Sequence, residues 1–398
     1  MALPRNTGCP LRPNQSVPSN VSFLMIQRDH YIDRLRTALT ALVVVFHTAI
    51  TYGAIGGWFW YENPPSTSLS SILLTLFTGT SQTYFMGLFF LLAGYFTPAS
   101  LERKGYARFI ADRFLRLGLP LLAFGLILGP LTEAIVAAAE GRGFWLTILH
   151  LWQRKEFFYG QLWFVQALLI FSLGYCVWRA VAGAPLARSG HTPRPIPAFR
   201  WWLVSALGVA GGALAIRQII PLGQSVFGML LGYFSSYIFL FALGIAAWRY
   251  DWLRQLAVEN VRPWIVILAV VWPIMPIATA FVHGLNGQHN SSFSGGFSWT
   301  AILYALWEPF VAWGLISLWL LVFRAHMNRP SALWAWLNRR AYAVYILHPP
   351  VLVGISLLLH GWTAPALVKF AVVGLLACIA TWLVADPLVR LPGVRRVV

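Results

Sequence analysis

Apolar positions along this chain do not alternate with polar ones; they gather into runs. Ten runs stand out, at 36–55, 76–98, 115–137, 161–182, 201–220, 226–248, 263–283, 299–323, 341–359 and 364–385. A helix rises about 1.5 Å per residue, so about twenty residues cross the ~30 Å hydrocarbon core of a bilayer. The backbone inside a bilayer must satisfy its own hydrogen bonds, which a continuous apolar run does as a helix. The short alternating segments of a transmembrane barrel are absent. The pattern predicts an all-α fold, a polytopic membrane helical bundle of about ten transmembrane helices. The short "IIPLGQS" turn predicts a tight hairpin of the fifth and sixth helices. Residues 1–30 read as a polar, Pro/Asn-rich and disordered N-terminal tail without the apolar stretch of a signal peptide. Residues 31–398 read as one integral membrane domain. Met25 is a second candidate start.

Composition supports this reading, and charge orients it. Only 10% of the 398 residues are charged and 58% are hydrophobic, against about 25% charged in a soluble domain. A net charge of +17 in a soluble protein would point to nucleic acid. Here the basic residues are sorted instead. Of the 29, 24 lie in the tail and in alternate connections, leaving Arg142, Arg154, Lys155, Arg217 and Lys369 on the other side. The positive-inside rule then puts both termini in the cytoplasm of an inner (plasma) membrane protein, with membrane lipid around it and no nucleic-acid partner. Cys9, Cys176 and Cys378 show no ligand spacing, so neither a disulfide framework nor a metal site is expected.

Ionisable groups inside apolar runs are costly and therefore candidates for function. In "RLRTALTALVVVFHTAI" Arg36 and His47 are eleven residues apart. That is a rise of about 16 Å and a net rotation of only about 20°, so they share a helix face. His47 is suited to proton transfer near neutral pH; its bland reading is an interhelical hydrogen bond. Arg36 would hold an anion at the cytoplasmic mouth or simply snorkel, with Asp33 as an i,i+3 partner. Glu308, followed by Pro309, would orient His47 or a substrate group, or satisfy backbone donors. His348 precedes Pro349 and Pro350, where a kink and a supporting role are expected. Arg113 and Arg116 are i,i+3 and suit a phosphate or pyrophosphate, or else lipid headgroups. On the opposite side, aromatics at 58–61, 157–159, Trp163, Phe293, Phe297 and Trp299 form an interfacial belt or stack on sugar rings.

Five motifs together resemble the membrane acyltransferase 3 family. "YIDRLRTALTALVVVFH" is similar to its Arg-x10-His signature, and "FMGLFFLLAGYF" to its second-span element, with Ala93 where serine is common. "RFIADRFLRLGLP" resembles its basic Arg-x-x-Arg segment, "GQLWFVQALLIF" its "LWFL" span, and "AYAVYILHPPVL" its late "SYxIYLLHxP" span. The first three look closest to the branch that modifies glucans. The resemblance implies an integral membrane O-acyltransferase with acyl-CoA as donor substrate and a hydroxyl of an extracytoplasmic carbohydrate or glycan as acceptor. It implies that His47 is the essential histidine, Arg36 its paired arginine and Arg113 and Arg116 the basic pair. It assigns nothing to Glu308.

The expected mechanism follows. Basic residues at the cytoplasmic mouth hold the phosphates of acyl-CoA, and the thioester reaches His47. His47 then acts as general base on the acceptor hydroxyl in a nearly dry site. The competing reading is a secondary transporter or channel, which also uses polar groups within the membrane. The chain shows neither an internal repeat nor a matched pair of interrupted helices to favour it.

Overall fold

The computed structural model describes residues 29–183, 192–286 and 293–397. The expected tail falls almost wholly outside these described residues. Among them, ten helices are long and apolar enough to cross a membrane. They are α1 (His30–Thr51), α2 (Leu69–Lys104), α3 (Tyr106–Ala139), α4 (Gly160–Val181), α5 (Phe199–Ile219), α6 (Leu231–Tyr250), α7 (Val258–Ala280), α8 (Trp299–His326), α9 (Ala341–Leu358) and α10 (Ala366–Arg390).

Each apolar run became one span, although a turn at Trp272 and Pro273 interrupts α7, and several helices outrun their runs. α1 begins six residues earlier than the run and ends four earlier, just before Gly53, whose φ of 124° stops a helix. His47 therefore lies one turn from the end of α1, nearer the opposite face than the middle. α3 begins at Tyr106, separated from α2 only by Gly105 (φ 73°). Arg113 and Arg116 are thus inside a helix and not in the loop before it. Two wide π-helical turns, Phe114–Gly118 and Phe124–Leu128, interrupt α3. Such turns release carbonyls from the regular ladder, and the Gly125 carbonyl accepts the Phe158 N–H at 3.2 Å.

α1 packs against α2, α8, α9 and α10. α2 is the most enclosed helix, while α5 and α7 are the least. α2 and α6 cross at two glycines. A Cβ on Gly94 would lie 2.1 Å from the Phe241 carbonyl oxygen, and one on Gly244 would lie 2.1 Å from that of Leu91. Only small residues let two backbones approach so closely. This explains the glycine of "LLAGYF".

Contacts define the two ends of the bundle. At the N-terminal face, Arg254 pairs with Asp29 at 3.3 Å. Arg324 donates to the Leu253 and Arg254 carbonyls at 2.9 and 2.8 Å, and the Tyr31 N–H donates to Asn328 at 3.2 Å. Arg34 is buried there, donating to the Arg329 carbonyl and lying 5.5 Å from the Trp334 ring. At the opposite face the Leu222 N–H donates to the Ser294 carbonyl at 2.8 Å, and Gln218 donates to that of Gly296 at 3.0 Å. α5 and α6 pack together, as the short turn predicts.

Candidate active site

Two histidines 301 residues apart meet between α1 and α9. His348 Nε2 lies 3.2 Å from His47 Nδ1, with ring centroids 5.1 Å apart. His348 is fully buried; His47 keeps partial exposure.

The proline after His348 explains its orientation. Pro349 has no N–H, so the carbonyl of Tyr345, four residues back, loses its helical donor. α9 runs on through both prolines, and His348 Nδ1 sits 2.8 Å from that carbonyl. A carbonyl only accepts, so Nδ1 carries the proton and Nε2 holds a lone pair. His47 Nδ1 lies 2.9 Å from the Val43 carbonyl and must likewise carry a proton. That proton is shared between Val43 O and His348 Nε2. The remaining nitrogen, His47 Nε2, holds a lone pair with no hydrogen-bond partner among the described residues. An imidazole with one N–H held by an oriented partner and the other nitrogen free has the arrangement of a general base.

Tyr342, Tyr345 and His348 form one stripe on α9, three residues apart. Tyr342 Oη donates to the Arg116 carbonyl at 2.6 Å, Tyr345 Oη donates to the Gln161 carbonyl, and His348 reaches His47. A single helix face thus ties together α3, α4 and α1. The stripe rises about 9 Å from Tyr342 to His348.

The other predicted residues fall in three places. Arg36 is at the N-terminal end of α1, 42% exposed, with Asp33 3.9 Å away as the i,i+3 partner. Arg116 pairs with Asp112 at 3.1 Å, and Asp112 also receives Lys104 at 2.7 Å. Arg113 lies 4.7 Å from the Phe109 ring, and its Nε is buried without a hydrogen-bond partner among the described residues. Glu308 is elsewhere again. Its carboxylate pairs with Arg217, both almost wholly buried, and hydrogen bonds to neither histidine. Arg217 Nε donates to the Gly232 carbonyl at 3.0 Å, and the guanidinium lies between Tyr233 (5.5 Å) and Tyr304 (5.3 Å).

Three participants were not singled out from the sequence. Trp58 belongs to the aromatic cluster read as an interfacial belt or a sugar-stacking surface, and it stacks on His47 at 4.1 Å and 22°, parallel also to His348 at 5.9 Å and 10°. The loop bearing it is tied down. Glu62 and Asn63 N–H donate to the Thr51 carbonyl at 2.9 and 3.1 Å. The Trp58 N–H donates to Tyr61 Oη at 2.8 Å. Glu62, its side chain 5% exposed, pairs with Lys369 and with His360 (3.1 Å). Gln161 is 7% exposed, and both polar atoms of its side chain lack a partner among the described residues. The sequence places Arg217 at the end of the fifth apolar run, among the few cations of the basic-poor side, and assigns it no role. Its position on the basic-poor side was the available signal, since a cation there needs a reason.

Helices of this length, enclosing a partnered histidine, define a multi-pass membrane protein with a candidate proton-transfer site. Comparison with known proteins supplies the chemistry. Residues 29–386 match the acyltransferase domain, and the chain belongs to that acyltransferase 3 family; it is an acyltransferase. It is 27% identical over 243 residues to "Glucans biosynthesis protein C" of Salmonella gallinarum, covering 57% of this chain and 60% of that protein. It is 30% identical over 96 residues to the protein of the same name from Escherichia coli K12, covering 24% of this chain and 23% of that one. The matches thus span less than two thirds of these relatives. No solved structure matches the chain.

Proposed function

We propose that this acyltransferase moves an acyl group from cytoplasmic acyl-CoA to a hydroxyl of a carbohydrate, a glucan by analogy with its relatives, across an inner membrane. The N-terminal face is cytoplasmic in this reading, because the basic residues concentrate there. The observation that carries the chemistry is the His348–His47 hydrogen bond, which leaves His47 Nε2 as a free base. Arg36, Arg113 and Arg116 hold the phosphates of the donor. Arg113 is the best placed to add hydrogen bonds, since Asp112 already engages Arg116. The pantetheine arm follows the Tyr342–Tyr345–His348 face toward the histidines.

The transfer is direct. The acceptor hydroxyl gives its proton to His47 Nε2 as its oxygen attacks the thioester carbonyl. The tetrahedral adduct collapses, the C–S bond breaks, and the imidazolium returns the proton to the leaving thiolate. His348 Nε2 accepts the hydrogen bond from His47 Nδ1–H throughout and favours the imidazolium, as the orienting partner of a base does in other constellations. The unpartnered carboxamide of Gln161 is suited to sugar hydroxyls, which both donate and accept.

The test is His47→Gln in proteoliposomes, with acetyl-CoA or succinyl-CoA inside and a glucan oligosaccharide outside, read by mass spectrometry of the glycan. Transfer is expected to vanish while the protein remains folded. Transfer at the wild-type rate would remove the assignment of the base.

A further inference from the structure

The mechanism above leaves one requirement unmet. The thioester carbonyl oxygen becomes an oxyanion during attack, and a dry site needs a donor aimed at it. Neither histidine supplies one: His348 Nδ1–H is committed to the Tyr345 carbonyl and His47 Nδ1–H to Val43 and His348.

Trp58 supplies the missing donor chemistry. Its Nε1–H is buried with no hydrogen-bond partner among the described residues. A buried indole N–H normally finds a partner, so an orphan asks for an explanation. Trp60 Nε1 is also unpartnered, but its ring lies against His360, and among the described residues it stacks on neither histidine of the pair. The Trp58 ring instead lies directly on His47 with centroids 4.1 Å apart. Allowing for the size of both rings, the indole nitrogen is within about 7 Å of His47 Nε2 however the indole is turned. A base and an oxyanion donor, each about 2.8 Å from its oxygen on one tetrahedral carbon, stand roughly 4–7 Å apart. Both groups act in the planes of near-parallel rings, so neither blocks the other.

We propose that the Trp58 indole N–H donates to the oxyanion formed on the thioester carbonyl. The proposal rests on the reading of His47 as base. Atoms balance as in the direct transfer: the indole keeps its proton, and its hydrogen bond strengthens as charge develops on the oxygen. The donor is neutral and its loop is anchored by Glu62, so little reorganisation accompanies the charge.

The test compares wild type with Trp58→Phe, which keeps an aromatic ring on His47 and removes the N–H. Removing one oxyanion donor costs on the order of 100-fold in kcat. That loss is expected for glucan acylation and, by the same factor, for slow acetyl-CoA hydrolysis without acceptor, since both pass through the same oxyanion. KM for acetyl-CoA should change little, and so should the melting temperature. The proposal is overturned by turnover within about twofold of wild type, by a loss confined to KM or to the folded fraction, or by hydrolysis spared while glucan transfer falls. The last pattern would make Trp58 a sugar platform. His47→Gln is run alongside. If it retains turnover, the underlying base reading fails; if it is inactive while Trp58→Phe is fully active, only the oxyanion role fails.

Discussion

The Arg217–Glu308 pair gives the sharpest test of what the buried charges do. The guanidinium contacts the Glu308 carboxylate, donates to the Gly232 carbonyl and is flanked by two tyrosine rings. At a separation of about 3 Å and an effective dielectric of about 20, two unit charges attract by roughly 5 kcal/mol. Desolvating both ions offsets most of that gain, so the pair adds little net stability, yet either partner left alone is expensive. Glu308→Gln and Arg217→Met are each expected to destabilise the protein by about 3–5 kcal/mol. At about 2 °C per kcal/mol for a large protein, the melting temperature in detergent falls by roughly 6–10 °C. The double variant Arg217→Met/Glu308→Gln, with both charges gone, should recover most of the loss, leaving a coupling of at least about 3 kcal/mol. Folded single variants should keep acyl transfer within several-fold of wild type, because neither residue hydrogen bonds to the histidine pair. Additive single effects would refute the pairing argument. A Glu308→Gln variant of normal stability but with abolished turnover would refute the scaffolding role and return Glu308 to the chemistry.

Three further outcomes follow from the same geometry. His348→Phe keeps a ring beside His47 but removes its hydrogen-bond acceptor; Val43 O still holds His47 Nδ1–H, so kcat should drop by roughly 10–100-fold, the value of one or two hydrogen bonds, with donor KM unchanged in steady-state assays. Lys369→Met leaves Glu62 buried without its cation and frees the loop over His47, so limited proteolysis should cut within residues 52–68 more than tenfold faster, and turnover should fall with it. Arg113→Ala should raise the KM for acetyl-CoA by about tenfold while kcat holds, the signature of binding shared by ground and transition states; calorimetric titration with coenzyme A reads the same loss directly.

The ten helices were legible because lipid imposes one solution on each apolar run. Their ends were not, because a helix continues wherever backbone and side chains are satisfied. The polar "HYIDRL" segment extends α1 backward, and "YARFIADR" does the same for α3. His47 and His348 were visible as imidazoles in apolar runs. Their contact was not, since it depends on how α1 packs on α9 across 301 residues. Part of the site could have been read locally, however. The spacing in "YAVYILHPP" places two tyrosines and the histidine on one face. The following proline frees the carbonyl that fixes the histidine's tautomer. Trp58 and Glu62 carry no such signal: their loop has no periodicity, and only tertiary contacts fold it back over α1.

The basic residues that violate the positive-inside pattern carry the most structural information in the chain. Four of the five expected on the non-cytoplasmic side have carboxylate partners. Arg142 meets Glu140 and Glu133, and Arg154 meets Glu156 at 3.4 Å; Arg217 meets Glu308, and Lys369 meets Glu62. The first two pairs are exposed and contribute little to stability. The other two are buried, and each clamps elements far apart in sequence: α5 to α8, and the Trp58 loop to α10. A buried cation cannot be exchanged for a neutral residue without stranding its carboxylate. The acyl-transfer chemistry proposed here requires a loop that stays over His47 while a bulky acceptor comes and goes. The Glu62–Lys369 clamp meets that requirement at the far face, as the Tyr342–Arg116 and Tyr345–Gln161 contacts hold α9 from below. The histidine pair is therefore held on one side by the clamped loop and on the other by the tyrosines of α9, and a change at either anchor should register at His47 before it registers in global stability.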